Sequence, residues 1–375
     1  MKVKKSINGF SATARVMVLC LAALWVPVTA YAQTTPPRSY YVRANGDDNN
    51  NGRSEDAPFK TLAKAVDATR MGIIKQITVI GKIEERREIG YTGGNDEILI
   101  TGKPDAVAGE KAEITSRFSI SNTKIRFTHV SFPQGLSISR SNVTLGARTL
   151  VSGQISSRDS GTLTMIDDAT VSGSNNGGIS IGGYDNFTLT MSDNAEISGN
   201  TTDRAGGGIS ASSDATLTLT MSGNARIINN TAGDSGGGIY AERGQITLSG
   251  NARISGNTAG RAGGGIYANV RVELTIRGGE ISGNTAKNGG GVFLLNRSSA
   301  TMTGGTITGN KAEYGAGVCV QERAAFTLNG GAITGNEADF VGGGVYVQSG
   351  GTYTAGRGTV TGNTAGDGGD NVFRQ

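Results

Sequence analysis

Seven asparagines, Asn200, Asn230, Asn257, Asn284, Asn310, Asn336 and Asn363, each close a phrase of the type Ile-Ser-Gly-Asn and recur every 26 to 30 residues. A second phrase, close to Gly-Gly-Gly-Ile-Tyr, comes after each of the first six, opening at Gly206, Gly236, Gly263, Gly289, Gly315 and Gly342. A unit of this length is too small to bury an apolar face by itself. It must stack on its neighbours, so the chain reads as a solenoid.

The unit from Leu219 to Ala241 shows how one repeat becomes one coil. It begins Leu-Thr-Met, passes through Ala-Arg-Ile-Ile-Asn-Asn and finishes Gly-Gly-Gly-Ile-Tyr-Ala. Each piece is short, rich in β-formers and bounded by Gly, Asn or Asp, which predicts three strands per unit with turns between them. Alternation along a strand sends Leu219 and Met221 inward and Thr220 outward, and sends Ile239 and Ala241 inward while Tyr240 points out. The first inward column then runs Leu163, Leu189, Leu219, Ile246, Leu274, Phe326, and the third runs Ile209, Ile239, Ile266, Val292, Val318, Val345. Stacked about 4.8 Å apart, these columns form a continuous apolar core. Each fully buried member contributes roughly 1.5–3 kcal/mol.

The recurring Asn carries a donor and an acceptor on one amide. Placed at the same turn of every coil, it can bond to the coil above and the coil below, as a structural ladder. The Gly run fits a turn that needs positive φ or close backbone approach, with Ala316 the one departure.

These phrases carry a family resemblance, covering about residues 160–375. The chain resembles the right-handed parallel β-helix superfamily that includes pectate lyases, and its two phrases are similar to the paired GGA(I/L/V) and FxxN repeats of chlamydial polymorphic outer-membrane proteins. It departs from the latter in having Gly for Ala and Ile or Val for Phe. The fold class expected is therefore all-β, a right-handed parallel β-helix of about 11–12 coils with a short N-terminal capping helix. Because this fold hosts many activities, the resemblance bears on architecture far more than on catalysis.

The rest of the chain divides accordingly. Residues 1–32 read as a signal peptide: Lys2, Lys4, Lys5 and Arg15 precede an apolar run from Val16 to Val28, and Ala30-Tyr31-Ala32 offers a cleavage site before Gln33. A lipid-modified Cys20 is disfavoured by the bulky Leu19 before it. Residues 33–76 hold a strand, a loop and a segment in which Phe59, Leu62, Ala63 and Val66 share one helical stripe. The resemblance implies that this helix covers the first coil. Residues 77–160 contain irregular strands, such as Ile77 to Ile80, Ile98 to Ile100 and Ile125 to Val130, read as three or four degenerate coils, and residues 161–375 are the regular repeats.

Charge and cysteine exclude some classes of function. The chain has 35 Lys plus Arg against 31 Asp plus Glu, and four of the basic residues lie in the leader, so the mature chain is neutral. No nucleic-acid surface is expected. With Cys20 in the leader, Cys319 has no partner for an intramolecular disulfide. The expected location is secreted or at the bacterial cell surface or outer membrane, with no transmembrane domain in the mature chain.

Candidate chemistry is sparse. Asp47, Asn49, Asn51 and Gly52 match the start of a calcium loop, but Pro58 stands where the bidentate Glu belongs, so calcium near Asp47 is a weak reading and no cofactor is expected. Asp167 and Asp168 are sequence neighbours, which on a strand face opposite ways, and the single histidine, His129, reads as a surface or packed residue. No catalytic residues are assigned. The outward column Thr164, Thr190, Thr220, Thr247, Thr275, Thr301, Thr327 can neither ligate calcium strongly nor act as a base near pH 7. A regular Thr file also invites comparison with ice-binding solenoids, although Thr-x-Thr pairs occur in only some units. Tyr240, Tyr267, Phe293 and Tyr346, with Cys319 between the last two, should form an outward aromatic strip able to stack on sugar rings or anchor a protein partner; mutual stacking is the simpler reading. The function expected is a non-enzymatic, adhesin-like or interaction scaffold binding host protein or glycan, with end-to-end self-association. The alternative is a polysaccharide lyase or glycoside hydrolase with its site in the degenerate coils.

Overall fold

The computed structural model describes residues 39–375, apart from 72, 91–95, 105, 106, 108, 110, 184 and 185. The expected leader lies outside the described residues. From Ser39–Arg43 onward almost every element is a short strand paired in parallel with the strand one unit earlier and one unit later. Strand triplets run from Gln76–Ile80, Lys82–Ile83 and Ile89–Gly90 to Thr352–Ala355, Thr359–Thr361 and Val372–Arg374. Counting them gives twelve triplets and about 11 turns from first to last, a distance of roughly 53 Å at the inter-strand spacing. Four of the triplets fall in the degenerate stretch.

Within each regular coil the first strand supplies one sheet, the segment ending in the Asn phrase a second, and the Gly-Ile-Tyr segment a third. Register is kept without a slip along the inward columns, for example Leu189↔Leu219 and Leu219↔Ile246 in the first sheet and Ile209↔Ile239 and Ile239↔Ile266 in the third. These side chains are buried in one continuous core. The outward Thr file is in register from Thr144 to Thr354.

One feature differs from the three-strand expectation. The two residues after each Asn, Thr-Ala in four of the seven units, form a fourth, corner ladder: Thr201–Thr202, Thr231–Ala232 and Thr258–Ala259 pair in turn, and bridges through Thr285 carry the line to Lys311–Tyr314, Glu337–Val341 and Thr364–Ala365. Two residues are too few to register as a periodic strand. The last unit also completes its coil, since Val372–Arg374 pairs with Val345–Val347.

The asparagines align as one internal file. Nδ2 of Asn200, Asn230, Asn257, Asn284, Asn310 and Asn336 donates to Oδ1 of the next Asn at 2.8–3.0 Å. The same Oδ1 accepts the backbone N–H of the preceding Asn, and each Nδ2 also donates to a carbonyl of the preceding coil, such as Ile254 O for Asn284. All are buried. The ends are satisfied too, by Ser174 N–H donating to Asn200 Oδ1 and by Asn371 Oδ1 accepting from Asn363.

The Gly phrase is the socket for this file. A Cβ on Gly238 would lie 2.6 Å from Gly265 O and 3.1 Å from Asn257 Nδ2, and the third Gly of the neighbouring units meets its Asn in the same way. Ala316, at the middle position of its triplet, is fully buried in a small apolar cluster with Ala312 and Ala338.

The helix, Leu62–Met71, begins later than the stripe implied. Leu62, Ala65, Val66 and Thr69 are its buried positions among the described side chains, and Phe59 instead bridges to Val42 with its ring against Gly52. The start is fixed by acceptors: Thr61 Oγ1 accepts Lys64 N–H, Asp48 Oδ1 accepts the N–H groups of Lys60 and Thr61, and Glu85 Oε2 accepts Ala63 N–H at 2.9 Å. Glu85 is itself buried and ties the helix to the first coil. Among the described residues, no helix is long and apolar enough to cross a membrane.

Candidate functional site

The outward file of the third sheet changes character half-way along. In unbroken register it runs Ser119, Ser137, Ser156, Ser180, Ser210, then Tyr240, Tyr267, Phe293, Cys319, Tyr346 and Phe373. Inward neighbours hold this orientation: Ile179, Ile209, Ile239 and Ile266 are buried, which turns the alternate residues out.

The predicted aromatic residues are brought together. Tyr240 and Tyr267 have ring centroids 5.0 Å apart and planes 7° apart, and Tyr267 and Phe293 are 5.2 Å and 6° apart. The strip is less open than outward alternation suggests. The first Gly of each triplet turns the chain at positive φ against the base of the column; a Cβ on Gly236 would sit 2.6 Å from Tyr240 Cβ. Tyr240, Tyr267 and Tyr346 are half-buried and Phe293 is only 8 % exposed. Burial, reinforced by Glu242, raises the Tyr240 phenol well above its ordinary range. Tyr267 and Tyr346 shift the same way, again chiefly through burial. These rings stay neutral at physiological pH.

Cys319 interrupts the aromatic file and is fully buried despite its outward position. Burial pushes its thiol up to about 12, with a weak opposing contribution from Gln321 Nε2, 3.2 Å from the sulfur. Tyr314, entering from the corner, packs 6.0 Å from Tyr346 and 5.1 Å from Phe340, which is 40 % exposed.

The serine half of the file is the floor of a groove. Beside Tyr240 lies a cavity of about 560 Å³, lined by Ser180, Ser210 and Ser212 on the floor and by Asn175, Asn176, Asp203 and Arg204 on one wall. Through Ser180 and Gln154 it continues into a second cavity of about 570 Å³, whose walls include Arg117, Arg158 and Asp159. Arg117 Nη2 donates to Ser156 Oγ at 2.6 Å, and Ser139 Oγ donates to Asp159 Oδ2 at 2.5 Å. Sequence reasoning missed this groove. Its signal was the serine register: tracing the Tyr240 column back through Ser210, Ser180 and Ser156 reaches it.

The profile of the right handed beta helix region matches residues 115–373, which is more than half of the chain and includes both the groove and the aromatic file. The chain belongs to the right-handed β-helix family. No curated protein and no solved structure matched it.

In this β-helix the other residues singled out by sequence stay apart. Asp167 and Asp168 lie in a turn between Gly161–Met165 and Thr170–Ser172 rather than on a strand, with Asp167 at φ 57°. Asp168 Oδ1 accepts Arg148 N–H at 2.6 Å, and Asp167 stands 4.0 Å from Arg126. His129 occupies a different turn at φ 56°, with Nδ1 buried and unpartnered. In the N-terminal loop, Asp47 Oδ1 accepts from Asn49 while Asp48 serves the helix. Among the described residues, no group of three or more His, Cys, Asp or Glu side chains is placed to hold a metal ion.

Proposed function

We propose that this β-helix is an exported, non-enzymatic surface protein, an adhesin-like scaffold that binds a glycan or a host protein along its third sheet. The observation that supports this most is the groove: hydroxyl and amide groups line it, an aromatic ring closes one end, and it runs along the coil axis for several units. Such a lining offers many hydrogen bonds and one apolar platform, the composition of a recognition surface. Export rests on the basic and apolar leader with Ala30-Tyr31-Ala32 at its end.

The test is a binding panel of soluble glycans and matrix proteins against the purified full chain, with and without calcium. Binding is expected, and replacing Tyr240, Tyr267 and Tyr346 together with Ala should weaken it. A chain that binds nothing on the panel refutes the scaffold reading. N-terminal sequencing of the protein recovered after secretion should begin at Gln33. End-to-end self-association, the remaining part of this reading, is checked by sedimentation across a concentration series.

A further inference from the structure

Resting on the reading of the groove as a binding surface, we propose that the open face of Tyr240 and the cavity beside it form a subsite for one neutral pyranose ring of a glycan laid along the serine file. A break in the ring stack motivates the proposal. Tyr267 covers one face of Tyr240 at 5.0 Å, while the residue in register on the other side is Ser210, too small to cover a ring. Tyr240 is thus the one member of the Tyr240, Tyr267, Phe293 stack with a face turned toward the cavity.

The cavity's size and chemistry fit the same ligand. At about 560 Å³ it lies within the range of small-ligand sites, roughly 300–1,000 Å³. Asp203 and Arg204 are its charged lining residues and oppose each other in sign, so nothing there selects a net charge. A pyranose presents C–H bonds on its faces and hydroxyls around its edge. The faces suit the electron-rich face of Tyr240, and the edge suits Ser180, Ser210 and Asn176, which donate and accept.

The ring is also held before any ligand arrives. The Tyr240 hydroxyl lies 3.1 Å from Glu242 Oε1, outside the cavity lining, and Tyr267 braces the ring's far side, so little freedom is lost on binding. Continuity through Ser180 into the next cavity gives the neighbouring sugars of a longer chain a path.

The experiment uses the full chain and neutral hexasaccharides of glucose, mannose and galactose, with hexagalacturonate as the anionic comparison. Trp25 is the chain's one tryptophan. With Trp25→Phe and Tyr240→Trp combined, the indole at position 240 should shift its emission saturably with a neutral hexamer. By calorimetry, Tyr240→Phe, which keeps the ring face but loses the bond to Glu242, should bind more weakly than the parent by about threefold or less, while Tyr240→Ser should bind about tenfold more weakly, with circular dichroism and melting showing a folded protein lowered only by the lost ring stack. Ser is chosen because it fills this place in the preceding coils. Unchanged affinity in Tyr240→Ser, or binding confined to hexagalacturonate, overturns the subsite. If no hexasaccharide binds but a matrix protein does, the subsite falls and the scaffold stands; silence from both sinks both.

Discussion

At the scale of single residues, the fold depends on an amide and the gap that admits it. Each buried Asn satisfies backbone groups of the coils beside it as well as its own side chain, so its removal strands several polar groups at once. Asn284→Ala should cost about 3 kcal/mol or more in urea unfolding. The exposed pair Asn296 and Asn269, bonded at 2.8 Å, supplies the control: Asn269→Ala should change stability by about 0.5 kcal/mol or less. From the other side, Gly238→Ala should destabilise by about 1–3 kcal/mol, because the added methyl meets backbone at 2.6 Å. Cys319 gives a pH signature. Its folded thiol ionises near 12 against an ordinary value of 9.0, so the folded state holds the proton more tightly over that window. Stability linked to this thiol is full below about pH 9 and is lost as pH rises toward 12, with neighbouring tyrosines adding the same trend. The thiol should therefore resist alkylation at pH 8 in the native protein and react once it is unfolded.

At the scale of elements, strand identity and facing were legible in the sequence because apolar alternation is strict: every residue named for the inward columns is buried. The corner ladder was not legible, because Thr-Ala pairs such as Thr231–Ala232 contain no period to read and owe their strand geometry to stacking. The helix was foreseen, but its start was misplaced. The apolar stripe counts Phe59, whereas the boundary is set by acceptors from distant parts of the sequence, Asp48 and Glu85. A burial pattern along one segment cannot register a cap that comes from 22 residues away. Glu85→Ala should therefore accelerate amide exchange across Leu62–Met71 by removing the Ala63 acceptor, while amides of the central coils keep their protection. Equal acceleration in both places would mean that the cap is not an independent unit. The candidate site was half legible for a related reason: a column of aromatic residues stands out, whereas the serines that continue it look like any solvent-facing row until the register is drawn.

At the scale of the whole solenoid, every regular coil meets its neighbours through the same contacts, so stability is a sum of similar steps. Removing the 27 residues 257–283 takes out one Asn-to-Asn period and brings Asn284 to the position of Asn257. That deletion should yield a folded, slightly less stable protein by circular dichroism, with Tyr240 now stacked on Phe293. Removing only 257–269 should abolish folding, since inward columns would meet outward ones. The pairing of the ladder with its sockets reaches further than stability. Each segment carries both the peg that enters the segment before it and the hole that receives the one after, so slippage during replication that copies or drops one whole segment leaves no mismatched joint. The length of the solenoid can therefore change by a whole segment without a compensating substitution at the joint.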